Sequence, residues 1–391
     1  MISFEEAQTK MAENIPVKGT ERVHFQHTIN RVLAEDIFSD INMPPFDKSA
    51  VDGYACRRAD LQKPLRLLEV IAAGSVPKFS IEEGYCSKIM TGAMLPPGAD
   101  CVVMVEQAIQ TEDGIVTFTD ARTKNNIALM GEDVSEGDKV LNKGTRIKAQ
   151  HIAVLAAVGA VKPLVYERAK VVVFSTGDEL TEPENKPGNG KIRNSNSSQL
   201  IEQIRSTGAD VSYGGIIPDE PETTYKMITN AVSGNDLVIL SGGISMGDFD
   251  YIPELLTSLG FEISFRSIAV QPGKPSVFAR SHNCFILGLP GNPVSSFNIF
   301  ELLGKPFLYR LMGHHFEVPL VRMPLAETYT RKAINRLAFV PATINKEGKV
   351  CPVSYHGSAH INALTDAQVL FSVPLGIERI AEGDLVDVRF I

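Results

Sequence analysis

Between residues 168 and 312, apolar β-branched runs alternate with stretches of helical periodicity, and few folds accept that order. Lys170–Phe174 reads as a strand, and a helix pattern over 196–207 is stopped by Gly208. A strand at 209–217, a helix at 221–233, the strand Leu237–Leu240 and a helix near 251–259 follow. Strands at 261–270 and 284–288 and a helix opening at Pro293 complete the series. Strands separated by helices need crossover connections, which are right-handed, so the expected fold is a doubly wound, mostly parallel α/β sheet.

The flanks read differently. Residues 3–14 form an amphipathic helix pattern opened by the capping pair Ser3 and Glu6. From about 40 to 134, short β-like runs (Leu67–Ala72, Lys88–Thr91, Cys101–Glu106, Ile115–Thr119) are punctuated by Gly and Pro, which suggests a β-rich insertion. Residues 148–159 read as a helix ending at Gly159, and short elements in 1–38 and 135–166 are expected to pair across the insertion. After about 318 only β runs and turns recur. The expected division is 1–38 with 135–166 as a small linker domain, 39–134 as a β-rich arm, 167–317 as the α/β domain and 318–391 as a closing β domain.

The net charge of -8, with 46 acids against 38 bases among 391 residues, argues against a protein that lives by neutralising nucleic-acid phosphates. No run approaches the ~20 apolar residues that span a bilayer, and the acidic start is unlike a secretory signal. A cytoplasmic protein is expected. The 5 cysteines are dispersed without a C-x-x-C pair, which favours reduced, buried thiols over a disulfide framework.

Ligands of a doubly wound sheet bind beyond the carboxyl ends of its strands, so the segments after each strand constitute a site search. They are Ser175-Thr176-Gly177-Asp178-Glu179, Pro218–Glu220, Ser241–Asp250, Pro272–Pro275 and Leu289–Ser295, all expected on one rim. Gly242, Gly243 and Gly247 can aim backbone N–H groups at an anion, and Pro290-Gly291-Asn292-Pro293 opens a helix in the same manner. Yet Asp178, Glu179, Asp219, Asp248 and Asp250 share the rim, and bare carboxylates repel phosphate. A hard cation reconciles the two, because Mg²⁺ takes one or two carboxylates together with phosphate oxygens. The rim therefore points to a nucleotide or phosphorylated ligand held through Mg²⁺. P-loop, dinucleotide, zinc-protease and serine-hydrolase signatures are missing. A second cluster, Met43–Ala55 with Thr91, Gly131 and Asp133, reads equally as Pro-rich turns or as an oxygen-rich wall of Asp52, Thr91 and Asp133.

Five motifs, Pro45-Phe-Asp-Lys-Ser-Ala-Val-Asp-Gly-Tyr-Ala, Met90-Thr-Gly-Ala…Pro97-Gly-Ala-Asp, Ser175-Thr-Gly-Asp-Glu-Leu, Ser241-Gly-Gly-Ile-Ser-Met-Gly and Leu289-Pro-Gly-Asn-Pro-Val-Ser, resemble those of the molybdopterin molybdenumtransferase family (MoeA and the gephyrin E domain). They occur in the family's order along the whole chain. The resemblance implies a four-part subunit with a C-terminal β-barrel, working as a homodimer. It implies insertion of molybdate into adenylylated molybdopterin, with release of AMP and the molybdenum cofactor and with Mg²⁺ assisting. The molybdopterin adenylyltransferase is the implied partner. Glu179, Asp219 and Asp250 look like the metal-organising acids. Ser175–Gly177, Ser241–Gly243, Ser245 and Pro290–Pro293 look like the pterin and phosphate loops. Lys274 would bring positive charge to an oxyanion, Asp52, Thr91 and Asp133 an opposing wall, and Ser358 a donor from the C-terminal domain. One departure matters. Many members carry Lys where this chain has Gln271, so one cation is lost. Arg266, at an odd offset along its strand, should face the other way and not replace it. Two alternatives stay open: the adenylylating step that precedes insertion, and a scaffold of the same fold that binds without turnover.

Overall fold

The computed structural model describes residues 1–120, 122–243, 252–319, 321–354 and 357–391. Ser245, Asp248 and Asp250 lie outside the described residues, as does Gly247. The chain divides into two compact units. Met1–Ala34, Gly144–Lys148 and Leu164–Ile391 make the first, and Glu35–Lys143 with Ala149–Pro163 the second.

The first unit is built on the sheet expected from the alternating pattern. Its elements are β1 (Lys170–Thr176), α1 (Asn196–Thr207), β2 (Asp210–Ile217), α2 (Pro221–Val232), β3 (Leu237–Ser241), α3 (Ile252–Ser258), β4 (Glu262–Ser267), β5 (Pro275–Arg280), β6 (Phe285–Leu289) and α4 (Pro293–Ile299). The strand order is β2-β1-β3-β6-β5-β4. The first four are mutually parallel, and β5 runs antiparallel to both β6 and β4. Sequence reading missed β5, because a proline and a glycine precede it, and ran β4 on through Val270, which belongs to a separate strand, Val270–Gln271. That two-residue strand in fact leaves the sheet to pair with Leu337–Ile344.

Alternation along each central strand explains the layering. Val171, Val173, Leu237, Ile239 and Leu287 face a core shared with Leu200 and Ile204 of α1 and with Phe4, Ala7 and Met11 of the N-terminal helix Phe4–Ala12. Val172, Phe174, Val238, Leu240 and Ile286 face the opposite core, with Ile228 of α2 and Ile252, Leu255 and Leu256 of α3. Both faces are dry, which is why the strands read as continuous hydrophobic runs. The N-terminal helix starts where expected, with Ser3 Oγ accepting from Glu6 N at 3.0 Å. Past α4 the helical path continues through one π turn, Phe300–Gly304, into the helix Lys305–Leu311. The closing β module is a six-stranded sheet with its own core of Val340, Val369, Phe371 and Val388.

The second unit holds a six-stranded sheet whose members include Leu65–Ile71, Tyr85–Ile89, Cys101–Met104 and Ile115–Phe118, close to the expected runs. The strand Gly53–Cys56 lies inside that sheet and was not anticipated. Its first residue must be glycine, since a Cβ on Gly53 would stand 2.0 Å from the Val103 carbonyl oxygen. The expected pairing of 1–38 with 135–166 occurs in both units: Thr20–Arg22 pairs with Leu164–Tyr166 in the first, and Ile37–Phe38 with Lys139–Leu141 in the second. All 5 cysteines are free, and Cys56, Cys86, Cys101 and Cys284 are buried. Burial pushes the Cys86 and Cys284 thiols up to about 12, so both behave as small apolar side chains.

Candidate functional site

A cavity of about 540 Å³ opens at the carboxyl ends of β1, β2, β3 and β6. Ser175, Thr176, Gly177 and Glu179 line it from the first loop, Asp219 from the second, Ser241–Gly243 from the third and Gly291–Pro293 from the last. Ala359 reaches it from the C-terminal module. Four of the five expected rim segments therefore meet.

Steric demands at the glycines explain the local sequence. Gly177 has φ +136°, and a Cβ there would sit 2.2 Å from Glu179 Oε2, so the Glu179 carboxylate folds back over its backbone. Gly242 and Gly243 have φ +97° and +62°, and side chains on them would run into Thr176 Oγ1 at 2.9 and 2.6 Å. Thr176 Oγ1 is itself buried without a partner among the described residues.

The glycine amides are less free than the sequence suggests. Gly177 N donates to Ile217 O at 3.2 Å and Gly242 N to Leu289 O at 3.0 Å. At the start of α4, Val294 N donates to Ser358 O at 3.0 Å, while Asn292 Nδ2 donates to Ser358 Oγ at 2.9 Å. Ser358 thus holds the last loop. Asp178, one of the expected rim acids, clasps the second loop: Asp219 N donates to Asp178 Oδ1 at 3.1 Å, and Asp178 N to Asp219 Oδ2 at 3.4 Å. Pro290 is buried behind the rim.

Lys274 is exposed and is not among the lining residues. Arg266 pairs with Glu254 on α3 at 3.4 Å, so it does not stand in for the cation absent at Gln271. No group of three His, Cys, Asp or Glu side chains able to hold a metal occurs among the described residues, and Asp250 is not one of them.

Sequence reasoning missed a segment that supplies much of the wall, Ile192–Asn196. Leu180–Thr181 and Ile192–Arg193 pair in parallel as a small side sheet. Beyond it, Ser175 Oγ donates to Asn194 Oδ1 at 2.8 Å, Asn194 Nδ2 to Tyr213 Oη at 2.9 Å, and Tyr213 Oη to Glu182 Oε1 at 2.8 Å. Burial, together with the Glu182 acceptor, pushes the Tyr213 hydroxyl up to about 12, so it stays a donor. Asn196 Nδ2 bridges Ser241 Oγ at 2.8 Å and Gly291 O at 2.7 Å, and Asn196 Oδ1 is buried without a partner among the described residues. The signal was an Asn/Ser run preceding a helix. That run does not follow a strand of the main sheet, where the rim loops lie.

In the second unit, Asp52 and Thr91 come together: Asp52 Oδ1 accepts from Thr91 N at 2.6 Å and from Thr91 Oγ1 at 2.7 Å. Asp133 is exposed, and its N–H donates to Met43 O at 3.0 Å. The Thr91 amide, then its hydroxyl, hold the Asp52 carboxyl below its ordinary value of 3.8. A depressed carboxylate stabilises the fold above its ordinary pKa, and that contribution is lost as the pH falls through the depressed value. Carboxyl-resolved NMR titration should find the Asp52 midpoint below 3.8. Thr91→Ala, which keeps the amide and removes the hydroxyl, should raise that midpoint only part of the way. An unchanged midpoint would mean the hydroxyl bond contributes nothing.

The profile of the MoeA N-terminal region (domain I and II) matches residues 2–159, that of a probable molybdopterin binding domain residues 172–310, and that of the MoeA C-terminal region (domain IV) residues 324–391. A protein of Haemophilus influenzae named molybdopterin molybdenumtransferase is 36% identical over 400 residues, covering 100% of this chain and 98% of its own. The chain belongs to the MoeA family. A Staphylococcus epidermidis protein of the same name is 35% identical over 398 residues, covering 99% of this chain and 95% of its own. Among solved structures, a molybdopterin biosynthesis MoeA protein of Pyrococcus horikoshii superposes with a TM-score of 0.84 at 27% identity, with 100% of both chains covered. MoeA membership thus extends over the whole chain and includes the flanks of the α/β sheet. No helix among the described residues is long and apolar enough to cross a membrane.

Proposed function

We propose that this chain is a molybdopterin molybdenumtransferase, which inserts molybdate into adenylylated molybdopterin and releases AMP and the molybdenum cofactor. The observation that carries the proposal is the likeness to relatives of that name along their full length, since an adenylylating enzyme would need only the α/β part. The cavity supports it chemically. A ligand carrying a pterin, a phosphate and an adenylyl group needs many polar contacts at once, and a wall of Ser, Thr and Asn side chains between two loops offers them.

Glu179 and Asp219 face the same cavity, and hard carboxylate oxygens beside orphaned Thr176 and Asn196 oxygens suit Mg²⁺. We assign Mg²⁺ to Glu179 and Asp219, with Asp250 as the third acid. Bound there, the ion would neutralise phosphate oxygens and so ease departure of AMP. Ser241, Asn292 and Asn196 orient the ligand, and Ser358 fixes the loop that carries Asn292. The proposal includes a homodimer located in the cytoplasm, served by the molybdopterin adenylyltransferase, with Asp52, Thr91, Asp133 and Lys274 as further site residues. It keeps the four-part division 1–38 with 135–166, 39–134, 167–317 and 318–391. Family membership supports these assignments.

One incubation tests the reaction. With purified protein, Mg²⁺ and adenylylated molybdopterin, AMP release should depend on added molybdate. Consumption of ATP on free molybdopterin, without molybdate-dependent AMP, would instead assign the preceding step. Binding of the adenylylated pterin with no product at all would leave a scaffold.

A further inference from the structure

We propose that Arg193 is the side chain that binds the phosphate-bearing anion of the substrate in the α/β cavity, an inference that rests on the functional reading above. Three ionisable residues line the cavity among the described residues: Glu179, Asp219 and Arg193. Arg193 is thus the one lining cation there. If Mg²⁺ sits on the two carboxylates, their charges offset its own, so a phosphate and an incoming oxyanion bring net negative charge that calls for a further cation beside the ion. Part of the expected amide cradle is already engaged, since the Gly242 amide and those of the neighbouring Gly177 and Val294 donate to backbone carbonyls, and an amide in any case brings no full charge. No lysine is among the residues that line the cavity. Lys191 Nζ donates to the Asp178 carbonyl, and Lys274 is not among the residues lining the cavity.

Arg193 is built for the task. Its Nε donates to Pro183 O at 2.9 Å and to Asn185 O at 3.2 Å, which fixes the plane of the guanidinium. Its backbone is pinned by the side sheet, where Thr181 pairs with Arg193. The four N–H groups of Nη1 and Nη2 have no partner among the described residues, although the residue lines a cavity whose other charges are negative. A pre-oriented guanidinium with an open edge is the group that grips phosphate oxygens in pairs. The conformational cost of ordering that side chain has already been met by the two carbonyls.

The test compares Arg193→Gln and Arg193→Lys with the wild-type protein in the molybdate-dependent AMP-release assay. Arg193→Gln should raise KM for adenylylated molybdopterin roughly tenfold or more, as expected for losing a charged hydrogen bond, with kcat almost unchanged. Arg193→Lys should recover part of that loss. The wild-type KM should climb with added NaCl, and the Gln variant should lose most of that dependence. AMP binding by calorimetry should follow the same order. Arg193→Gln with wild-type KM and salt dependence would overturn the proposal, and so would a fall in kcat at constant KM. Wild-type protein that fails to turn over adenylylated molybdopterin at all would overturn the functional reading itself, whereas an active wild type with an indifferent Gln variant removes Arg193 alone.

Discussion

Replacing Glu179 with alanine should cut molybdate-dependent AMP release by about 10²–10³-fold, the scale of losing one pre-organised electrostatic group. The fold should scarcely notice. Glu179 is exposed, its carboxylate rests over a glycine, and surface changes of that kind shift stability by less than about 0.5 kcal/mol. Glu179→Gln sharpens the point, because it keeps the size and loses the charge. If the carboxylate holds a divalent cation, the Gln variant should resemble the Ala variant and need more Mg²⁺ for half-maximal rate. If its role is only to fill space over Gly177, the Gln variant should work normally. Full activity in both variants would remove Glu179 from the site.

Why Glu179 was legible in the sequence, and Arg193 and Asn196 were not, has a physical cause. A doubly wound sheet announces itself through buried hydrophobic runs, so the loops after β1, β2, β3 and β6 could be located before any coordinates, and they do converge. Their glycines are there for close approach, which local sequence records well. Arg193 instead ends, and Asn196 follows, a two-residue strand whose pairing partner, Leu180–Thr181, is too short to leave a periodic signal. β5 escaped for a related reason: it reverses direction at a Pro-Gly turn, and composition does not reveal direction. Which amides are free was equally hidden. Gly242 looked like an anion donor until its bond to Leu289 was visible, and that bond depends on β3 and β6 being neighbours. The Asp52 motif was ambiguous in sequence because a Pro-rich turn and a carboxylate held by Thr91 use the same residues.

Asn196→Ala is expected to have the second largest effect, although Asn196 is 8% exposed and does no bond-making. Its amide ties Ser241 Oγ to Gly291 O, and so sets the spacing between the loop after β3 and the loop after β6. Deleting it leaves the Ser241 hydroxyl and the Gly291 carbonyl each short of a donor in a nearly dry place, at a cost of about 2 kcal/mol. A loosened pair of loops should also lower kcat/KM by more than about tenfold, since small misplacements of positioning groups are expensive. Ser241→Ala provides the comparison. It removes one acceptor but leaves the Asn196 bond to Gly291, so it should cost less than Asn196→Ala. In the double variant the Ser241 change should add little further loss, because its partner is already gone, and the two effects should be strongly non-additive. Strict additivity in stability and in kcat/KM would mean that the two residues act independently, and that the spacing of the loops is set elsewhere. Asn196→Asp separates shape from donation: it keeps the outline and offers no N–H to either loop, so it should fail as badly as alanine.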